Sequence, residues 1–355
     1  MLVQPPEPAL FDQPPWKLMD LFGRMRSFTD QAGFSGTLPV VWQCSDESQQ
    51  IKKSLLGYVY DCPVFNLGRV GALIDPTRLV TASHHGQDLI LLGGSHLGGK
   101  DEKGIGFVER IHQNVAPCCG MLHRLLTPYW ELYQRASSII NLRNSPSGVM
   151  VEIPYQFLLR KRTDVHEHPH VHLRLKNLVV GEAIKDSSQG KLFHLNEKFQ
   201  SRNLAALLQI GVDPVAIGPM LDLNCFYFTK QINKGSRDPV ALLEDSVFDF
   251  MPDIVTNPYP HRRIADINTW RQFHRAADFL LNTFDNGQRN IFVVAGLTLD
   301  HSLKHNSFVP QFGFWIKKGR TLNSRYFNAT EINELLFKQT PYYPSKTFLQ
   351  YAEIE

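Results

Sequence analysis

Apolar residues fall along this chain in two patterns. The first is a set of short, nearly unbroken runs: Leu38–Gln43, Leu89–Leu92, Ile291–Gly296 and the stretch from Phe308 to Lys318. Runs of this length, bounded by glycine or polar residues, predict strands buried on both faces, as in a parallel sheet. Leu89–Leu92 is the best candidate for its centre, because Gly93-Gly94 closes it abruptly. The second pattern is helical spacing. Leu18, Leu21, Phe22 and Met25 share one face of residues 17–29, and similar spacing predicts helices after Gly120, within 193–210 and over 267–284, while 330–337 and the aromatic tail are expected to pack back on the body or on a partner. Pro128 lies inside the helix after Gly120 and is expected to break or kink it.

Between these elements the pattern is weaker. Residues 46–59 predict a helix whose first turn holds Asp46 and Glu47, and 104–112 reads as a strand or hairpin limb. Residues 143–149 form the clearest break, and β segments follow it. His166, His168, His170 and His172 alternate along one of them, but Pro169 argues against a central strand, and a solvated strand or loop is favoured over a metal clamp. Strands and helices together predict an α/β protein with a central, mostly parallel sheet flanked by helices, followed by an additional C-terminal α+β region.

Composition narrows the classes. The chain has 355 residues with a formal net charge of +3, from 37 basic and 34 acidic residues in no long single-sign block, so nucleic acid is not the expected partner. No apolar run approaches the ~18 residues needed to cross a membrane, and the proline-rich start does not read as a signal or transit peptide. Five cysteines, two of them adjacent at 118 and 119, do not suggest a disulfide framework and fit a reduced, cytoplasmic environment, or an organelle if a leader has been removed. Walker and dinucleotide-binding spacings are absent.

The chemistry collects where the apolar runs end. Cys44 follows the first run directly, Ser95-His96 follows the Gly93-Gly94 break, and Cys118-Cys119-Gly120 precedes a helix. Cysteine sulfur and histidine nitrogen at three separate strand ends suit a tetrahedral zinc site with one open position, and their long spacings exclude a small zinc knuckle. Buried thiols and a core histidine are the alternative reading. Asp46 stands close enough in sequence to accept a proton there, and Arg69, between Gly68 and Gly71, is either its partner or a surface arginine in a turn. Cys225, alone in an apolar stretch, reads as a small buried hydrophobe.

Four segments, Cys-Ser-Asp-Glu at 44–47, Leu-Gly-Arg-Val-Gly-Ala-Leu at 67–73, Gly-Gly-Ser-His-Leu-Gly at 93–98, and Gly-Phe-Val-Glu-Arg followed by Cys-Cys-Gly at 106–120, resemble the limiting-CO2-inducible protein family, the LCIB/LCIC group. That family is similar in active-site architecture to β-type carbonic anhydrases. The resemblance implies zinc held by Cys44, His96 and Cys119, with Cys118 as the alternative to Cys119, and a dyad of Asp46 and Arg69. It further implies reversible hydration of CO2 to bicarbonate, proton transfer through His84, His85 or His112, and a homodimer. Another metal-assisted hydrolase, or a catalytically silent interaction protein, are the competing functions. Ser48 occupies the place where a usual β-type anhydrase carries the dyad arginine, and 23 positions separate His96 from Cys119. On this reading residues 1–16 form an extended arm, 17–145 the zinc-binding α/β core, and 146–355 an α+β region that completes or extends it.

Overall fold

A computed structural model describes residues 15–46, 49–75, 78, 87–99, 107–110, 113–117, 119–159, 167–232, 238–284, 288–302, 305–319 and 324–345. The arm expected over 1–16 lies outside these residues up to position 14, and Trp16–Lys17 form a short strand, β1.

The chain divides into two units, one of residues 1–123, 237–247 and 261–355, the other of 124–236 and 248–260. The first is built on an eight-stranded sheet. Its further strands are β2 (Leu38–Trp42), β3 (Phe65–Asn66), β4 (Leu89–Gly93), β5 (His96–Gly98), β6 (Ile291–Ser302), β7 (His305–Ile316) and β8 (Ser324–Phe327). The order is β1-β7-β6-β4-β2-β3, with β8 on β7 and β5 on β6. Strands β6, β4, β2 and β3 run parallel, whereas β7 pairs antiparallel with β6, β1 and β8. Leu89–Leu92 is thus central, as its unbroken apolar run requires.

Successive residues of the parallel strands point into different cores. Val41, Ile90, Leu92, Phe292 and Val294 pack with helices α1 (Leu18–Gln31) and α2 (Gln50–Tyr60), through Leu21, Phe22, Met25 and Leu56. Val40, Trp42, Leu89, Leu91, Ile291 and Val293 pack on the other side against Phe273, Ala276, Ala277 and Leu280 of α4 (Pro260–Phe284). A period of two therefore serves a three-layer arrangement, and fully burying each Leu, Val or Phe contributes about 1.5–3 kcal/mol before chain entropy is counted.

Several local expectations are corrected. The helix after Cys119, α3 (Gly120–Ile139), continues through Pro128. Asp46 precedes α2, which begins at Gln50, instead of lying in its first turn. Within 193–210 a strand, Gly190–Leu195, gives way to two short helices, Glu197–Arg202 and Leu204–Leu207. The strand expected over 291–296 runs on to Ser302 because β7 pairs along its whole length.

The second unit carries a five-stranded sheet in which Asn141–Ser145 pairs antiparallel with Gly148–Pro154. The break read at 143–149 is therefore the turn of a hairpin, with Ser145 opposite Gly148, and a boundary at 145 falls inside it. Residues far beyond 145 supply the centre of the first sheet through β6.

Candidate metal centre

Two of the candidate ligands lie just past the ends of parallel strands, and the third just before a helix. Cys44 lies two residues beyond β2, His96 opens β5 after the Gly94-Ser95 corner, and Cys119 immediately precedes α3. The corner needs glycine at 94: its φ is 130°, and a Cβ there would meet the Gly296 carbonyl oxygen at 1.9 Å. The fold gathers the three side chains into one buried group whose ligand atoms lie within 4.8 Å of one another. Cys118 lies outside the described residues, so Cys119 is the member the geometry places.

The group fits a metal. The two sulfurs are 3.7 Å apart. That is far from the ~2.05 Å of a disulfide and matches the edge, about 3.8 Å, of a tetrahedron with metal–sulfur bonds of about 2.3 Å. His96 Nδ1 lies 2.9 Å from Asp300 Oδ2. A carboxylate there takes the ring proton on Nδ1, and Nε2 keeps its lone pair, as in a carboxylate–histidine–metal arrangement. His96 also favours the thiolate form of both cysteines.

The sulfurs differ in acidity. The hydrogen bond from Cys119 pulls the Cys44 thiol well below its ordinary range against the opposing effect of burial, and His96 and the Asp46 backbone assist. The same contact, with burial, pushes Cys119 up. The Gly71 N–H, 3.3 Å away, also points at Cys44 Sγ. Gly71 takes φ 73° to present it, and Asn268 Nδ2 of α4 holds the Gly71 carbonyl at 2.8 Å and Ser95 Oγ at 2.9 Å. Metal binding would remove the remaining thiol proton.

Residues unnoticed in the sequence surround His96. Gln49 Nε2 donates to both oxygens of Asp300 at 3.2 Å. Lys52 Nζ donates to Thr298 Oγ1 at 3.0 Å and lies 5.9 Å from the Phe308 ring. Lys52 is wholly buried, and burial lowers its pKa to about 8 against the pull of Asp300 and Cys44, so it remains an ammonium at neutral pH. A signal was present: after the apolar run of β6, Thr298 and Asp300 are polar at a spacing of two.

The other expected site residues are placed differently. Asp46 is half-buried. Arg69, whose side chain is 41% exposed, forms its ion pair with Asp75, which Arg78 also approaches at 3.6 Å. His84, His85 and His112 lie outside the described residues, as does His166. His172 Nε2 bonds Thr229 Oγ1 at 2.8 Å instead of joining a metal cluster. Nearer the site, His123 stands one turn into α3 with its backbone N–H on the Cys119 carbonyl, stacked on His261 at 4.9 Å.

No family model matches the chain, and no curated protein matches its sequence. Among solved structures, a histidine-to-alanine variant of PtLCIB4, a homologue of the limiting CO2-inducible protein LCIB, matches with a TM-score of 0.51 at 14% identity, over 85% of this chain and 89% of its own. PtLCIB4 itself matches at 0.50 and 13%, over 88% and 93%. The chain has an LCIB-like fold. At these identities the likeness is one of fold, and it embraces both units, well beyond the motif-bearing segments between Leu38 and Leu122. Within that LCIB-like fold, the described residues contain a buried Cys-His-Cys group able to hold a metal ion.

Proposed function

We propose that this chain is a zinc-dependent, carbonic anhydrase-like enzyme that interconverts CO2 and bicarbonate and works as a homodimer. The observation that carries the reading is the Cys44–His96–Cys119 group, with sulfurs at tetrahedral spacing and His96 backed by Asp300. The LCIB-like fold supports it, since the solved neighbours are homologues of a protein named for its response to limiting CO2.

Zinc held by such a set supplies Lewis acidity and lowers the pKa of water from about 15.7 toward roughly 7. The protein contributes the rest. Cys44 and Cys119 would hold the ion as thiolates, and His96 would hold it through Nε2, because Asp300 engages Nδ1. Asp46, half-buried and with its backbone N–H on Cys44, takes the proton from the attacking water. Burial of the ligand set keeps bulk water away and strengthens its electrostatic interactions.

A second reading, a resting or catalytically silent form, draws on Arg69. Its guanidinium is engaged by Asp75, whereas the active dyad asks it to direct Asp46. Zinc content after metal-replete expression, followed by stopped-flow CO2 hydration, tests both readings. Stoichiometric zinc with hydration that Asp46→Ala and Arg69→Ala weaken is the expected result. Zinc without hydration would leave the silent reading standing, and a metal-free protein would sink the site. Light scattering checks the dimer.

A further inference from the structure

Helix α5 (Ala329–Phe337) begins at an Asn328–Glu331 capping box and buries Ile332 and Leu336 in the core on the α1 side of the sheet. Its outer face, where Glu334, Phe337 and the following Lys338 stand at helical spacing, forms one wall of a cleft of about 690 Å³. Pro15, Trp16 and Lys17 form a second wall, and Tyr343 also lines the cleft. The volume falls within the roughly 300–1,000 Å³ of ordinary ligand pockets.

The walls are braced. Trp16 Nε1 donates to Asn333 Oδ1 at 2.6 Å, which engages the one N–H of the indole and leaves an apolar ring to the cleft. Arg24 Nη1 donates to the Phe337 carbonyl at 2.9 Å and to the Gln339 carbonyl, and the guanidinium carbon lies 5.2 Å from the Trp16 ring centre and 5.7 Å from that of Phe337. Trp16 and Phe337 meet edge to face with centres 6.4 Å apart, yet Phe337 is 73% exposed and Tyr343 61%. Aromatic rings held in place and left open on a concave surface suit a polyproline II chain, which presents apolar rings and has no internal hydrogen bonds to protect.

The chain carries such a ligand at the edge of the cleft. Pro15 is a lining residue, and the fourteen residues before it, outside the described part, include Pro5-Pro6-Glu7-Pro8, a P-x-x-P unit. At three residues to a turn, Pro5 and Pro8 share one face. Residues 9–13 contain no proline and are long enough to turn the chain back, since reversals take about 2–5 residues. Charge points the same way. Residues 1–14 carry Glu7 and Asp12 and no lysine or arginine. On the cleft, Asp20 is paired with Arg24 at 3.2 Å, which leaves the Lys17 and Lys338 ammonium groups against the Glu334 carboxylate.

We propose that the cleft between Trp16 and Phe337 is a docking site for a polyproline II segment, and that its occupant is Pro5–Pro8 of the same chain, seated on the rings of Trp16, Phe337 and Tyr343. The site uses no residue of the metal centre and stands independently of the metal reading.

Photo-cross-linking in the full chain tests it. A p-benzoylphenylalanine placed at position 4, next to the proline unit, is irradiated, and mass spectrometry locates the cross-links. Links to the segments bearing Trp16, Phe337 or Tyr343, within a single chain, are expected. Phe337→Ala should lower their yield by about tenfold, the loss that follows truncation of an aromatic anchor. Pro5→Ala with Pro8→Ala should lower it several-fold. Lys17→Glu with Lys338→Glu should weaken docking, and Glu7→Lys with Asp12→Lys in that same chain should restore it, a rescue that nearness of the segment to the cleft would not give. Should Phe337→Ala lose its circular dichroism, Tyr343→Ala and the charge reversal decide. Links that avoid the cleft, or a yield that a folded Phe337→Ala does not move, would overturn the proposal. Links that reach the cleft only between two chains would overturn it too, by assigning the cleft to a second copy.

Discussion

Cys44 in the first unit and Cys225 in the second are both buried thiols close to strand ends, yet their surroundings drive them in opposite directions. Around Cys44 stand the Cys119 thiol, the His96 ring, and the Asp46 and Gly71 backbone N–H groups, which together outweigh burial and favour the thiolate. Around Cys225 burial acts first and the Asp222 carboxylate adds to it; the thiol donates to Asp222 Oδ1 at 3.3 Å, and its pKa is pushed up to about 12. Two histidines repeat the contrast. His96 has a buried carboxylate behind it, whereas His172 has a threonine hydroxyl and a stacked Tyr227 ring at 5.2 Å. Residue type alone therefore does not make a ligand; the donors and charges brought to it do.

The largest test of this contrast is deletion. Cys44→Ser or His96→Ala should abolish zinc retention and CO2 hydration, whereas Cys225→Ala should leave both intact and cost about 1 kcal/mol of stability from lost packing, read by denaturant unfolding. Equal loss from Cys225→Ala would dissolve the distinction. Next in size is Asp300→Asn. Zinc affinity should fall by roughly 10–100-fold, and the metal-free protein should lose stability because Gln49 Nε2 and His96 Nδ1 then face an amide in place of the carboxylate they bond. Chelator competition and thermal unfolding read the two effects separately. A smaller effect is expected from Asp75→Asn. Freeing Arg69 should raise kcat/KM for hydration several-fold if the arginine has to reach Asp46; a fall would show that the pair with Asp75 is the working arrangement.

The smallest effect concerns acid. Burial, with the neighbouring His123, lowers the His261 pKa from 6.5 to about 4. The folded state then binds fewer protons than the unfolded one between those values, so this contribution is present above pH 6.5 and is lost as pH falls toward 4. His261→Phe should flatten that part of the stability–pH curve. An unchanged slope would place the acid sensitivity elsewhere.

Much of the fold was legible because burial on both faces leaves an unmistakable mark. Leu38–Trp42 and Leu89–Gly93 carry few polar residues, and a parallel central strand has no reason to carry more. The long hairpin of Ile291–Ser302 and His305–Ile316 was recognised as strands, but its place was not, because nothing in a strand's own residues says that it will pair with Leu89–Gly93, some two hundred positions earlier. Pro128 misled for a related reason: a proline removes one helix hydrogen bond, and packing of Leu125, Leu126 and Tyr129 keeps the helix whole.

The sequence by itself offered the ligand chemistry, with Cys44 directly after one apolar run, His96 after the glycine break of another, and the cysteine pair before a helix. It also determined the α/β layering through the alternation of two periods. Tertiary structure alone decided that Asp300 stands behind His96, that Lys52 is buried with its ammonium on Thr298, and that Arg69 pairs with Asp75. These are contacts between elements remote in sequence. They are set by strand register and helix placement, and a charge carries no mark along the chain of the partner it will meet when both are buried.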